Sequence, residues 1–172
     1  NQDPVHEVTY FDGLGRPIQK VAHAQSNSGK DIVTHIDYDA FGRQVKEYLP
    51  YANQTPSLNY NSSAGTEVLS FYNTQAYENT PNPFSEKQLE ASPLDRILKQ
   101  AAPGEAWKIG STHEIKFDYQ TNTATEVKLY TVTTTWSASL QLYNIAIEST
   151  GNYAANELYK NVTTDENGVS TH

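Results

Sequence analysis

Hydrophobic and polar positions alternate along much of the chain in short runs, and this period of two predicts a mainly β protein. In residues 32–38, Ile32, Ile36 and Tyr38 share one face of a strand, while His35 lies on the other face. Such alternation is typical of a strand with one buried side. Similar runs predict strands at 5–11, 17–25, 31–38, 44–49, 86–91, 97–101, 114–119, 125–136, 139–149 and 157–163.

A helical period interrupts this pattern between Pro50 and Pro83. Four apolar side chains in this stretch fall on one face of a helix, which predicts a short helix near residue 70; they are Val68, Leu69, Tyr72 and Ala76. A proline-rich loop follows. In the long strand at 125–136, Tyr130, Val132 and Trp136 face one way, and Leu129 faces the other way with a ladder of threonines.

The turns between strands repeat one sequence pattern. Asp12-Gly13-Leu14-Gly15 and Asp39-Ala40-Phe41-Gly42 lie 27 residues apart, and an arginine follows each. A type I turn favours Asp first, where it accepts backbone N–H groups, and Gly fourth, where φ is positive. Ser26-Asn27-Ser28-Gly29 and Asp165-Glu166-Asn167-Gly168 also fit, and Ser92-Pro93-Leu94-Asp95, followed by Arg96, is a degenerate copy.

These turns carry a family resemblance. "YDAFGR" at 38–43 matches the Y-D-x-x-G-R repeat of bacterial RHS proteins, and "FDGLGR" at 11–16 matches it with phenylalanine for tyrosine. With phrases such as "NPFSEKQLEASPLDRILKQAAPG", nearly the whole chain resembles the N-terminal segment of RHS-repeat-associated proteins of uncharacterised function. The structural repeat motif then consists of Phe11, Asp12, Gly15, Arg16, Tyr38, Asp39, Gly42 and Arg43.

The resemblance implies antiparallel β-hairpins that coil side by side into a curved or spiral sheet. In RHS proteins, long arrays of such hairpins close into a shell around a C-terminal toxin or other cargo, and the parent protein is secreted or lies on the cell surface. Cleavage functions belong to later segments, so we carry over no catalytic residue and expect a non-catalytic structural module. Its partners would be the downstream repeats of the same polypeptide.

The motifs divide the chain into three parts. Residues 1–52 hold two hairpin repeats, and residues 53–86 form an irregular insertion with the short helix and the proline-rich loop. Residues 87–172 hold the degenerate repeat and a long-stranded meander. Because the long strands of the meander lack the Y-D-x-x-G-R motif, we expect the whole segment to be a cap or an entry module of the spiral and not a regular stretch of it. The last hairpin turns at 165–168, and we expect a segment truncated within that hairpin.

The composition excludes several classes of binding partner and several kinds of chemistry. The net charge is −8, the pI is about 5.0, and the twelve basic residues are scattered, which argues against nucleic acid or an anionic membrane as a partner. No apolar run is long enough to span a bilayer. The absence of cysteine excludes disulfides and thiolate chemistry. Twelve tyrosines and a mean hydropathy of −0.67 predict a thin core that relies on aromatic rings.

Several residue groups suggest chemistry, although each also has a structural interpretation. Arg16 and Arg43 would pair with an Asp or pack on a Tyr of the adjoining hairpin, or else bind an anion or sugar. Asp37 with Asp39, or Asp165-Glu166-Asn167, offer too few ligands for a calcium loop. His23 and His35 would be solvent-facing cross-strand neighbours, since two histidines without a third ligand are weak zinc ligands. We therefore predict no metal or cofactor.

No residue set supports an enzyme. The serines lack a G-x-S-x-G setting, and Glu105 beside Trp107 has no carboxylate partner at a defined distance. The alternative function is a stand-alone β-rich module that binds carbohydrate or a cell-surface protein. Its sugar-stacking surface would consist of aromatic side chains, namely Tyr48, Tyr51, Tyr60, Trp107 and Trp136.

Overall fold

The computed structural model describes residues 4–54 and 56–172. The predicted parts 1–52 and 53–86 include residues 1–3 and Thr55, which lie outside the described residues. The chain divides into two compact units, one running up to Lys116 and including Thr164–Val169, the other comprising Phe117–Thr163 and Ser170–His172. Each unit is described separately below.

The first unit contains seven complete strands, one α-helix and two 3-10 turns among its described residues. The strands are β1 (Glu7–Phe11), β2 (Pro17–Ala22), β3 (Ile32–His35), β4 (Lys46–Tyr48), β5 (Tyr51–Ala52), β6 (Phe84–Leu89) and β7 (Ile97–Ala101). The helix is α1 (Ala64–Tyr72), and the 3-10 turns are Gln75–Tyr77 and Glu105–Trp107. The mainly β, antiparallel class with one helix is therefore confirmed.

The strands of the first unit pair in two antiparallel sheets. One sheet has the order β1-β2-β3-β5, and in the other β4 pairs with β6 and β6 with β7. The strands flanking the turn at Asp39, β3 and β4, therefore lie in different sheets. The sequence pattern suggested a hairpin there. The ladder of β3 ends at His35, so the Asp39 turn connects the two sheets.

The core of the first unit is small and rich in aromatic rings. Val21, Val33 and Val68 are almost fully buried, and the half-buried rings of Tyr10, Tyr48, Phe71 and Tyr72 pack around this cluster. The predicted buried face of Ile32, Ile36 and Tyr38 is right only for Ile36, which is 8% exposed. Ile32 and Tyr38 are half-buried, and Val33, predicted on the other face, is 0% exposed. Strand β3 itself ends at His35, but the N–H of Ile36 still donates to the carbonyl of Ile18 at 3.0 Å. Alternation alone does not decide which face is buried, since that depends on what packs on each face.

Helix α1 packs on β3 through a face that the sequence pattern identified only in part. Ala64 and Val68, four residues apart, are buried, and Tyr72 continues that face. Leu69 is 37% exposed, and Ala76 lies beyond the end of the helix in a 3-10 turn. Leu69 lies one helical step of about 100° from Val68, which turns it away from the core. The predicted helix is present, and Val68 and Tyr72 lie on its packed face as predicted, whereas Leu69 and Ala76 do not.

A buried carboxylate holds the connection between β5 and α1 against the sheet. Asp31 is 0% exposed, and its Oδ2 accepts the backbone N–H groups of Ser57 and Leu58 at 2.7 Å each. Its Oδ1 accepts the N–H of Ala24 and lies 2.9 Å from His23 Nδ1. Burial alone would raise the pKa of Asp31, but these N–H groups outweigh burial and hold the pKa below its usual value.

A second buried polar side chain fixes the same connection. Gln19 is 1% exposed; its Nε2 donates to the carbonyl of Asn61 at 2.9 Å, and its Oε1 accepts the N–H of Asn61 at 2.8 Å. Tyr10 adds a bond from its hydroxyl to the carbonyl of Leu58. Residues 57–61 thus have a fixed place although they form neither helix nor strand.

The second unit is built around a long hairpin. Strand β8 (Ile115–Thr121) begins in the first unit, and the second adds β9 (Lys128–Ser137), β10 (Leu142–Asn152), β11 (Tyr159–Thr164) and β12 (Ser170–Thr171). At the base of the hairpin, Asn122 is 3% exposed, and its side chain bonds to the carbonyl of Ala154 and the N–H of Leu158. This amide fixes the chain on both sides of the hairpin.

The two faces of the β9–β10 hairpin differ in chemistry. Trp136 lies opposite Tyr143, and Val132 opposite Ile147, as the predicted alternation requires. Six apolar side chains share this face, and each is 49–68% exposed; they are Tyr130, Val132, Trp136, Tyr143, Ile145 and Ile147. The other face carries threonines opposite Glu148, Ala146 and Asn144. Within the described residues, β9 and β10 pair only with each other.

Across residues 4–54 and 56–172, no helix combines the length and the apolar character that crossing a bilayer requires.

Candidate functional site: a row of linked turns

The turns at Asp12, Asp39 and Ser92, each followed by an arginine, are called the first, second and third turns below. The first and second turns have the same internal geometry. In the first, the carbonyl of Asp12 accepts the N–H of Gly15 at 3.0 Å, and Asp12 Oδ1 accepts the N–H groups of Leu14 and Arg16 at 2.9 Å each. The corresponding bonds around Asp39 are all 2.9 Å. Gly15 has φ 76° and Gly42 has φ 78°, the left-handed conformation that glycine adopts without strain.

Each turn arginine also forms an ion pair within its own turn. Arg16 Nε lies 2.8 Å from Asp12 Oδ2, and Arg43 Nε lies 2.8 Å from Asp39 Oδ2. The arginine's backbone N–H, together with its guanidinium, lowers the pKa of the Asp12 and Asp39 carboxyl groups. One aspartate therefore shapes the turn and fixes the direction of the arginine. Because solvent screens exposed pairs of this kind, orientation of the guanidinium is their main effect.

Arg16 reaches from the first turn to the second. Its guanidinium lies over the ring of Tyr38, 4.4 Å from the centroid. A Cβ atom added at Gly42 would lie 2.9 Å from Arg16 Nη1, so the glycine leaves the space that the guanidinium occupies. The Tyr38 hydroxyl donates to the carbonyl of Pro17 at 2.9 Å, next to Arg16 in the chain. Tyrosine, glycine and arginine of the motif thus meet in one contact between neighbouring turns.

Arg43 in turn contacts the third turn. Its Nη1 donates to Asp95 while its Nε remains on Asp39, and these two carboxylates raise the pKa of the guanidinium. Its guanidinium also lies 5.0 Å from the ring centroid of Phe41. Two arginines 27 residues apart therefore each contact the next arginine-bearing turn, Arg16 through a ring and Arg43 through an ion pair.

The third turn keeps the arrangement with different residues. Asp95 has φ 50° in the place that glycine takes in the other copies. Glu90 replaces the lost aspartate: its carboxylate accepts Arg96 Nη2 at 2.8 Å and the Ser92 hydroxyl at 2.6 Å, and this lowers the pKa of Glu90 to about 2. Sequence reasoning missed Glu90, because it lies before the turn; the only signal was Arg96 without an aspartate.

The remaining two turns close locally. In the turn that begins at Ser26, the Oγ accepts the N–H of Lys30 at 2.7 Å. In the last turn, Asp165 Oδ1 accepts the N–H groups of Asn167 and Val169. The position after their glycines holds lysine and valine, not arginine. The row of linked turns therefore comprises the three arginine-bearing turns, at Asp12, Asp39 and Ser92.

The two histidines considered as zinc ligands are separated. The prediction that they are cross-strand neighbours is wrong: His35 lies opposite Gln19, and His23 lies beyond β2 against Asp31. His35 packs on Tyr48, with ring centroids 5.0 Å apart, and burial lowers its pKa. In the part of the chain that the structure describes, no three His, Asp or Glu side chains are arranged to hold a metal ion.

The acidic residues considered as calcium ligands have protein partners. Asp37 accepts the Tyr48 hydroxyl at 3.2 Å, while Asp39 and Asp165 shape their turns. Burial, followed by the nearby Asp37 carboxylate, raises the pKa of Tyr48 to about 12. Asp37 and Asp39 therefore bond to different parts of the fold and do not act as a pair.

The aromatic residues considered as sugar ligands have separate ring neighbours. In the first unit, Tyr51 is 3% exposed in the core, Tyr48 packs on Phe84, and Tyr60 packs edge-on to Tyr10. In the second unit, Trp136 packs on Tyr143. The first-unit rings do not form the shared stacking surface that the sequence suggested, because the sheet buries alternate side chains.

Trp107 lines a small cleft. Its ring lies 4.9 Å from that of His113, and a cleft of about 240 Å³ extends from this pair toward Gln100 and Pro103. Glu114, which follows His113 in the chain, is 4% exposed. Its carboxylate accepts Lys99 Nζ at 2.7 Å and the N–H of Gly110 at 2.8 Å. Although burial opposes ionisation, these bonds lower the pKa of Glu114. Glu105 pairs with Lys108.

The fold and the linked turns define an antiparallel β module in which neighbouring turns are joined side by side. Residues 1–121 match the model of the family described as a domain of unknown function, DUF6443. The match covers more than half of the chain, which therefore belongs to this family. It ends at Thr121, the last residue of β8, so the β9–β10 hairpin lies beyond it. No curated protein and no solved structure matches the chain.

Proposed function

We propose that this chain is a non-catalytic structural module of a large, exported RHS-type protein. In this proposal it contributes hairpins to a β-shell, or caps one, and the shell encloses a C-terminal toxin or other cargo. Its partners are the repeats that follow in the same polypeptide, and its location is the cell surface or the extracellular space.

The observation that carries the proposal is the step from turn to turn. Arg16 contacts Tyr38 of the second turn, and Arg43 contacts Asp95 of the third, in the same direction along the chain. A contact repeated from unit to unit serves the stacking of the units, because each repeat of such an array touches only its neighbours.

The buried carboxylates support a structural rather than a catalytic role. Asp31 and Glu114 are buried acidic residues, and hydrogen bonds from backbone N–H groups, with Lys99 in the case of Glu114, keep both ionised. A general acid or base needs a pKa near neutrality and an approach for substrate. A carboxylate with a lowered pKa and its oxygens occupied provides neither.

The gene beyond the codon for His172 tests the proposal directly. A structural module of a repeat array predicts further Y-D-x-x-G-R units, at spacings of roughly 20 to 30 residues. As a biochemical counterpart, the chain and the residues that follow it would be expressed as two separate polypeptides, which are expected to co-purify. A stop codon within one or two strands, or a downstream segment without the motif, would refute the shell.

A carbohydrate-binding function is the second candidate, and the Trp107 cleft favours it. Trp107 is 40% exposed and lies beside His113 and Gln100, an aromatic face next to polar groups as in many sugar sites. A glycan array followed by calorimetry tests it. Binding that disappears in Trp107→Ala and persists in Trp136→Ala would replace the structural proposal as the function of the isolated chain.

A further inference from the structure

The β9–β10 hairpin has a surface that the structural module does not explain. Its strands are 10 and 11 residues long, and they pair only with each other in the described part of the chain. Two-stranded sheets are marginally stable in water unless one face packs against something. Here the six apolar side chains of one face are all about half or more exposed. We call this set, Tyr130, Val132, Trp136, Tyr143, Ile145 and Ile147, the apolar face.

We propose that the apolar face is a self-association surface, on which the hairpin of a second copy of this chain packs face to face. The two hairpins would form a four-stranded β-sandwich with a shared core. This inference concerns residues beyond the family match and does not depend on the proposed shell.

Charge favours a second copy over a charged partner. The chain carries a net charge of −8, yet the apolar face is made of uncharged residues at every described register position from Tyr130 to Trp136 and from Tyr143 to Ser149. The acidic Glu148 pairs with Thr131 on the opposite face. Two copies can therefore meet on this face without placing like charges against each other, whereas an acidic or basic partner would find no complement there.

The register makes the apolar face complementary to itself. The row nearest the hairpin tip holds two aromatic rings, Trp136 and Tyr143, whose centroids are 5.0 Å apart. The row nearest the base holds one ring and one small side chain, Tyr130 and Ser149. With the two hairpins antiparallel about a two-fold axis, the tip row of each copy meets the base row of the other, so that Tyr143 lies over the small Ser149 and Trp136 over Tyr130. The two rows between them meet in the middle. This is the isologous geometry of a two-fold dimer.

The area is sufficient for such a dimer. With full side-chain areas on the order of 150–250 Å² for the aromatic members, the six side chains present roughly 600 Å² per copy. That is at the upper end of the largest apolar patch expected on a monomer. Covering it on both copies buries about 1,200 Å², the lower limit for a stable specific interface. We therefore expect a dimer that dissociates in the micromolar range.

The test compares substitutions at adjacent positions of β10. Ile145→Lys places a charge on the apolar face, and Ala146→Lys places the same charge on the opposite face. Sedimentation velocity of the full chain across the micromolar range is expected to detect a dimer for the wild type and Ala146→Lys. For Ile145→Lys the dissociation constant is expected to rise about tenfold or more, because the dimer would bury an unpaired charge.

A cross-linking measurement does not depend on the folding of Ile145→Lys. The chain has no cysteine, so Thr134→Cys introduces a single thiol on the apolar face, and Thr133→Cys introduces one on the opposite face. A short bismaleimide is expected to join two copies of Thr134→Cys covalently and to leave Thr133→Cys without a covalent dimer. A wild type that stays monomeric at every concentration overturns the proposal, as does equal cross-linking of both variants or equal weakening by both lysines.

Discussion

A substitution of the two turn glycines by alanine measures the contact between neighbouring turns. Gly15→Ala and Gly42→Ala both place a side chain at nearly the same positive φ, 76° and 78°. The added Cβ meets no described atom within 4 Å at Gly15, but lies 2.9 Å from Arg16 Nη1 at Gly42. The two variants therefore share the backbone strain and differ in the displacement of one guanidinium.

The magnitudes follow from these two contributions. The left-handed conformation costs an L-residue about 1–2 kcal/mol, which we expect as the loss in Gly15→Ala. In Gly42→Ala the guanidinium must also shift from its place over the Tyr38 ring, and such contacts at exposed sites contribute at most about 0.5–1 kcal/mol. We expect Gly42→Ala to be less stable than Gly15→Ala by that further amount. Arg16→Gln should abolish the difference, since no guanidinium then lies near Gly42.

Urea unfolding followed by tryptophan fluorescence provides the assay. The chain has two tryptophans, so a Trp136→Phe background leaves Trp107 of the first unit as the only reporter. Free energies of unfolding are compared for both alanine variants with and without Arg16→Gln. Equal losses in the two variants, or a difference that persists without Arg16, would refute the contact between turns.

Three further predictions concern ionisable groups. Asp31→Asn should lower the free energy of unfolding by about 2–4 kcal/mol, since Asp31 accepts three buried N–H groups. Because the pKa of Asp31 is lowered in the folded state, the stabilisation by Asp31 is present above pH ~4 and lost below it. The free energy of unfolding of Asp31→Asn, measured in urea, should therefore fall less on acidification than that of the wild type, and an equal fall contradicts this. The pKa of Tyr48 is raised to about 12, so the contribution of its neutral hydroxyl to stability is present below pH ~10 and lost as the pH rises toward 12. The free energy of unfolding of Tyr48→Phe should therefore fall less than that of the wild type between these pH values. The same fall in both proteins would count against this prediction. The pKa of Glu90, about 2, should return toward about 4.3 in Arg96→Gln when followed by carboxyl ¹³C NMR, and a constant value would exclude the pair as its cause.

Local chemistry could be predicted from the sequence wherever a few adjacent residues decide it. The turn at Asp12 needs only its own aspartate, glycine and arginine, and its hydrogen bonds are those that the pattern predicted. The alternation in β9 likewise placed Tyr130 and Trp136 on one face. Strand β7 begins and ends where the pattern placed it, at Ile97–Ala101.

Features that depend on distant partners could not be predicted in this way. Which face of β3 is buried depends on the helix that packs on it, and Val33 is buried because it meets Val68 of α1 in the core. Glu90 took over the role of an aspartate from outside the motif. The role of Asp31 required Ser57 and Leu58, 26 and 27 residues away, to approach its carboxylate.

The fixed segment at residues 57–61 has a consequence for engineering. Irregular connections are usually the places where a chain accepts a grafted peptide. Here an insertion would draw Leu58 and Asn61 away from Asp31 and Gln19, so that the buried carboxylate would lose the N–H of Leu58 and the buried amide both of its bonds to Asn61. The tip of the β9–β10 hairpin has no such tie in the described chain, since Gln141 bonds only within the tip, to Ala138. A tag or displayed epitope therefore belongs at that tip, and the unstructured-looking connection before α1 should keep its length.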